Sequence, residues 1–261
     1  MTATIEAGLR RHRAITLAAL AGLCLLAWAW LLLGAGMSAP DGAMEGMVMP
    51  MEGMVMPPPA WSPSRFALTF AMWGTMMVAM MLPSAAPTVL LYARAVARPG
   101  VPPPASGTFL AGYLLVWAAF SLFATGLQLW LEHALLLAPH SMALEGQRLT
   151  GGLLIAAGLY QLSPVKGSCL RHCRNPAQFL SRHYRPGLAG ALRLGLIHGT
   201  WCLGCCWALM LLLFAGGVMN LVWIAALTLL VAAEKLLPFG RSISQLAGLA
   251  SLGGGVLLLI Q

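Results

Sequence analysis

Residues 66–92 read Phe-Ala-Leu-Thr-Phe-Ala-Met-Trp-Gly-Thr-Met-Met-Val-Ala-Met-Met-Leu-Pro-Ser-Ala-Ala-Pro-Thr-Val-Leu-Leu-Tyr, and no charged side chain lies between Arg65 and Arg94. A helix that crosses a bilayer needs about 20 mostly apolar residues. This run exceeds that length, and others like it fall at roughly 14–36, 107–131, 149–165, 188–214, 218–236 and 243–260. The fold class expected is therefore all-α, a polytopic transmembrane helix bundle of about seven spans. The count falls to six if the last run, with Gly253, Gly254 and Gly255, is only partly inserted.

Composition agrees with that reading. Of the 261 residues, 59% are hydrophobic and 8% charged, whereas a soluble domain carries about 25% charged residues. The net charge of +8 does not point to nucleic acid, because the basic residues sit in short segments between apolar runs. With the N-terminus in the cytoplasm, 13 of the 15 Lys and Arg fall on the inner side, Arg65 and Arg148 being the exceptions. That asymmetry is the positive-inside pattern. The apolar run after Arg10, Arg11 and Arg13 is longer than the core of a signal peptide, about 7–15 residues, so a retained span is expected. The chain divides into an N-terminal anchor span (1–36), an outer Met- and Pro-rich loop (37–64) and a transmembrane helical domain (65–261).

The outer loop repeats itself. Residues 44–50 and 51–57 both read Met-Glu-Gly-Met-Val-Met-Pro, supplying Met44, Met47, Met49, Met51, Met54 and Met56. A loop rich in Pro and Gly offers no core for six methionines. Thioethers are soft ligands that favour Cu(I) over hard ions, and they form no disulfide in an oxidising compartment. The competing explanation is slippage duplication of a low-complexity linker. In the second span, Met72, Met76 and Met80 recur at four-residue spacing, and Met77 and Met81 form a second pair. Such spacing stacks side chains on one helical face. The stripe reads equally as a path for a soft cation or as ordinary packing.

The sharpest pattern is His-Gly-Thr-Trp-Cys-Leu-Gly-Cys-Cys-Trp over residues 198–207. His198, Cys202 and Cys205 or Cys206 share a helical face over about two turns. Imidazole and thiolates together suit Cu(I) or Zn(II), and the thioethers elsewhere favour copper. Zinc stays the alternative metal. Cys202 and Cys205 also form a C-x-x-C pair, the spacing of thiol oxidoreductases. With Cys169 and Cys173 that pair supports an alternative function, a membrane thiol–disulfide oxidoreductase. Cys169 and Cys173 lie in a basic inner segment, where Arg171 and Arg174 are expected to lower the thiol pKa, as at an exchange site on the cytoplasmic face. Cys24 reads as a packing residue, and Glu234 with Lys235 as an interfacial pair. No P-loop, G-x-S-x-G or H-E-x-x-H motif is present, so a binding or transport protein is expected rather than an enzyme.

Three segments, residues 72–84, 166–176 and 198–210, together resemble the bacterial family of predicted metal-binding integral membrane proteins, domain of unknown function 2182. The resemblance covers roughly residues 65–240. It implies a helical membrane fold and a metal site at Met72, Met76, Met77, Met80, Met81, Cys169, Cys173, His198, Cys202, Cys205 and Cys206. It also implies a multi-pass location in a bacterial cytoplasmic (inner) membrane. The partners expected are the lipid bilayer, the metal ion, and a copper chaperone or membrane cuproenzyme, with no nucleic acid.

Overall fold

The computed structural model describes residues 2–34, 62–96, 105–138 and 141–261. The methionine repeat, Met44 to Met56, lies outside the described residues. The expectation of an all-α chain holds. The helices are α1 (Thr2–Leu32), α2 (Pro63–Val96), α3 (Ala105–His133), α4 (Gln147–Leu162), α5 (Pro164–Arg174), α6 (Pro176–His183), α7 (Gly187–Leu211), α8 (Leu213–Gly216), α9 (Leu221–Leu236) and α10 (Gly240–Ile260).

Among the described residues, five segments are long and apolar enough to cross a membrane: Ala14–Leu32, Pro63–Ala95, Ser106–His133, Gly187–Gly216 and Gly240–Ile260. The other two expected spans form shorter helices. Each of α4 and α9 has 16 residues, about 24 Å at 1.5 Å per residue, against a hydrocarbon core of about 30 Å. Local chemistry accounts for the early stops. Ser163 leaves the helix in an extended conformation, and its hydroxyl accepts from the Lys166 amide at 3.2 Å. Pro164 then opens α5 at its first turn, where a missing N–H costs nothing. At the other stop, Leu237 is extended ahead of Pro238, as expected of a residue before proline.

Glycines decide how closely the helices approach. A Cβ on Gly195 of α7 would collide with the Phe109 carbonyl of α3, and one on Gly112 of α3 would collide with the Leu192 carbonyl of α7. Between α4 and α10, a Cβ on Gly151 would stand 2.9 Å from the Gly255 carbonyl. Small residues at such crossings are the usual means of packing helices where apolar burial supplies little drive. Only 17% of the apolar windows of α1 and α10 is buried within the protein. Leu25 and Leu26 on α1 and Leu246 and Ile260 on α10 point outward, a surface that suits lipid and not water.

Helix α2 runs unbroken through Pro83 and Pro87. Proline at position 83 removes the amide that would bond the Ala79 carbonyl. The Cys24 thiol donates to that carbonyl at 3.7 Å, so Cys24, read from sequence as a packing residue, ties α1 to the proline turn of α2.

Candidate functional site

The three cysteines of α7 are all buried, at 2%, 1% and 1% exposure for Cys202, Cys205 and Cys206. Two of the three thiols find a local acceptor within the helix. Cys205 and Cys206 both donate to the Cys202 carbonyl at 3.0 Å. Their sulfurs then meet donors from other helices. Cys206 Sγ lies 3.7 Å from Met81 Sδ on α2, and Cys205 Sγ lies 3.9 Å from Cys173 Sγ on α5. Cys202 Sγ lies 3.1 Å from the Tyr113 hydroxyl on α3, which also donates to the Met81 carbonyl at 3.2 Å. The same carbonyl accepts from Ser84 Oγ at 2.9 Å.

These separations bear on whether a soft ion fits. Two sulfurs each about 2.3 Å from one ion stand roughly 3.8 Å apart in tetrahedral and about 4.0 Å in trigonal geometry. The Cys206–Met81 and Cys173–Cys205 pairs already have that spacing. Among the described residues, no three His, Cys, Asp or Glu side chains are closed around one point. The Cys206–Met81 pair brings in a thioether, a donor type outside that set.

The sequence left the cysteines as two separate places, one in the bundle and one at the inner face. The structure merges them. Helix α5 folds back against α7 so that Cys173 reaches Cys205, while Cys169 lies against α7 at Gly204, with its sulfur 3.0 Å from where a Cβ there would stand. Arg174 holds this arrangement by donating to the Leu237 and Pro238 carbonyls at 2.7 and 2.6 Å, a cation placed where the last carbonyls of α9 lack partners. Burial raises the pKa of Cys169, opposite to the lowering expected from the nearby arginines. The thiols named for a disulfide couple, Cys202, Cys205, Cys169 and Cys173, are all free, and the sulfur contact runs between Cys173 and Cys205.

His198 sits one turn before Cys202 on α7 and is 3% exposed. Its neighbours are rings: Phe179 at 5.2 Å, Tyr113 at 5.6 Å and Phe109 at 6.0 Å between centroids. Among the described residues its buried Nδ1 has no hydrogen-bond partner. A buried polar atom left unpaired costs about 1–3 kcal/mol. Met72, Met76, Met77 and Met80 are buried in the same core as Met81.

Two residues that sequence reading missed complete the site. One is Tyr113, an unremarkable tyrosine in an apolar run. The other is Lys235, which leaves Glu234 and enters the sulfur cluster. Its Nζ lies 3.0 Å from Cys202 Sγ, 3.4 Å from Ser84 Oγ, 3.7 Å from Cys206 Sγ and 3.9 Å from Met81 Sδ. Glu234 pairs instead with Lys166 at 2.7 Å, both 1% exposed. Gln161 donates to Glu234 at 2.9 Å and accepts from Lys166. A partner for Glu234 was available at the start of α5, but only folding brings it close.

Comparison with known families gives one finding. A protein-family model described as PpoB2, copper chaperone, matches residues 70–258. That range begins at the methionine stripe of α2 and includes every residue of the sulfur cluster. No curated protein and no solved structure matches the chain.

Proposed function

We propose, from the premise that the chain belongs to the PpoB2 copper chaperone family, that it is a membrane protein that binds Cu(I) through sulfur and passes it on. The observation that carries this reading is the convergence of Met81, Cys173, Cys202, Cys205 and Cys206 from three helices at sulfur spacings of 3.7 and 3.9 Å. Copper agrees with the softness of these donors. The family match supports the copper relation and is silent on the name domain of unknown function 2182. A cytoplasmic-membrane location with the N-terminus inside is supported by the five apolar helices and by the placement of Lys and Arg.

In this reading the outer methionines, Met44 to Met56, collect the ion. Met72, Met76, Met77 and Met80 carry it along α2 to Met81. Cys202, Cys205, Cys206 and Cys173 hold it, His198 offers its free nitrogen one turn away, and Cys169 at the inner end takes part in exchange. Thiolates bind soft ions more strongly than thioethers, so affinity rises along that path. Binding by a thiol releases its proton, and the shell of Tyr113, Phe109 and Phe179 excludes water from the donors.

The test is metal analysis of the purified full chain from copper-supplemented and zinc-supplemented cells, with X-ray absorption at the metal edge. Copper bound by sulfur at about 2.3 Å is expected. Zinc in its place, or oxygen ligands alone, overturns the reading. A smaller effect isolates the thioether. Met81→Leu is expected to weaken Cu(I) binding roughly tenfold, about 1.4 kcal/mol, read by competition with a chromophoric Cu(I) chelator. Met219→Leu, the same change between α8 and α9 and outside the proposed path, is the comparison.

A further inference from the structure

The relay just described gives no task to Lys235, yet its ammonium lies closer to Cys202 than any other cation among the described residues for which a contact to that sulfur is seen. Three observations bear on its role. First, Lys235 is buried, at 7% exposure, where an unpaired charge is costly. Second, it has no carboxylate. The ion pairs among the described residues are Arg65–Glu132 and Lys166–Glu234, and Glu234, its neighbour in sequence, is fully engaged by Lys166 and Gln161. Third, what surrounds the ammonium among the described residues is part of the donor set, Cys202, Cys206 and Met81, together with the Ser84 hydroxyl.

We propose that Lys235 sets the charge selectivity of the sulfur site, confining it to monovalent soft cations. The proposal rests on Cys202 and Cys206 being ligands, as argued above. A metal-bound cysteine is a thiolate, so for an ion seated among Cys202, Cys206 and Met81, with Cys205 and Cys173 keeping their protons in the contact between them, Cys202 and Cys206 bring two negative charges and Met81 none. Without Lys235, a divalent ion neutralises that pair, and a site of two thiolates and a thioether takes zinc or cadmium readily. With the ammonium fixed beside both sulfurs, only one negative charge is left over. A monovalent ion then closes the site at neutrality, while a divalent ion leaves one positive charge uncompensated in the interior. The repulsion between ammonium and bound ion also doubles with the charge of the ion. Softness selects copper or silver over hard metals; Lys235 selects Cu(I) over Zn(II), which softness alone does not do at a thiolate site.

The experiment compares the full-length parent with Lys235→Met, Lys235→Gln and Lys235→Arg, each purified metal-free and reduced in detergent. Each is titrated with Cu(I) against a chelator and with Cd(II), whose bond to thiolate absorbs in the ultraviolet. The readout is the ratio of the two affinities within one variant, so general loosening of the fold moves both and cancels. The parent and Lys235→Arg are expected to prefer Cu(I). Lys235→Met and Lys235→Gln are expected to shift the ratio toward Cd(II) on the order of a hundredfold. An unchanged ratio in both neutral variants overturns the proposal, and Lys235→Gln serves if the methionine variant does not fold. A parent that binds no Cu(I) at all overturns the functional reading instead, so the two failures are told apart.

Discussion

Replacing Cys202, Cys205 and Cys206 together by serine is expected to abolish tight Cu(I) binding while leaving the protein folded. The two halves of that expectation have different physical grounds. Serine is smaller than cysteine by little and can keep the hydrogen bonds that these side chains make to the Cys202 carbonyl at 3.0 Å. It can also meet the Tyr113 hydroxyl and the Lys235 ammonium. A hydroxyl, however, is a hard donor with little affinity for a soft ion. Loss of an outer-sphere partner typically costs a metal site 10–100-fold in affinity, roughly, and removing three direct donors is expected to exceed that. The measurement is chelator competition on parent and variant, with helical circular dichroism as the folding control. Cys24→Ser is the comparison, since the Cys24 thiol contacts the Ala79 carbonyl and stands outside the cluster. Equal affinity in the triple variant and the parent removes these cysteines from the site. Recovery of the parent as a mixed disulfide with another protein, under thiol trapping, favours the oxidoreductase alternative.

The second large effect is on stability. Lys166→Met leaves Glu234 buried at 1% exposure with Gln161 as its remaining donor. Removing one partner of a buried ion pair typically costs about 3–5 kcal/mol, because the other charge is stranded. Replacing both partners by apolar residues is often close to neutral. Lys166→Met is therefore expected to unfold well below the parent temperature in detergent, and Lys166→Met combined with Glu234→Leu is expected to recover most of the loss. Equal destabilisation in the single and double variants counts against a stranded carboxylate as the cause. The single variant also bears on the site, because Glu234 and Lys235 are adjacent on the last turn of α9. A carboxylate without Lys166 has reason to seek Lys235 and draw the ammonium away from Cys202.

Fold class followed from the apolar runs, since length and hydropathy are properties of single segments. The stops at Ser163 and Leu237 were less accessible. A proline can end a helix or be absorbed in one, and α2 absorbs Pro83 and Pro87 while Pro164 opens a new helix. The cysteines of α7 were readable because one helix carries them all. Their partners were not. Met81 stood out from sequence only as one of five methionines, and nothing local distinguishes it from Met80. Tyr113 and Lys235 carry no motif, and the pairing of Glu234 with Lys166 spans 68 residues. Sequence patterns report periodicity within an element. Which face meets which neighbour depends on where glycines such as Gly112 and Gly195 let backbones touch.

The contact between Met81 and Lys235 joins positions 154 residues apart, and Cys173 and Cys202 enter the chain between them. A ribosome therefore releases the first donor long before the last neighbour exists. Early stretches hold thioethers or scattered thiols but not the whole cluster. The full cluster exists only after α9 has been threaded into the bundle; on the proposed reading an ion held by its sulfurs then fastens α2, α5 and α7 at once and adds stability that grows with the logarithm of the free-ion concentration.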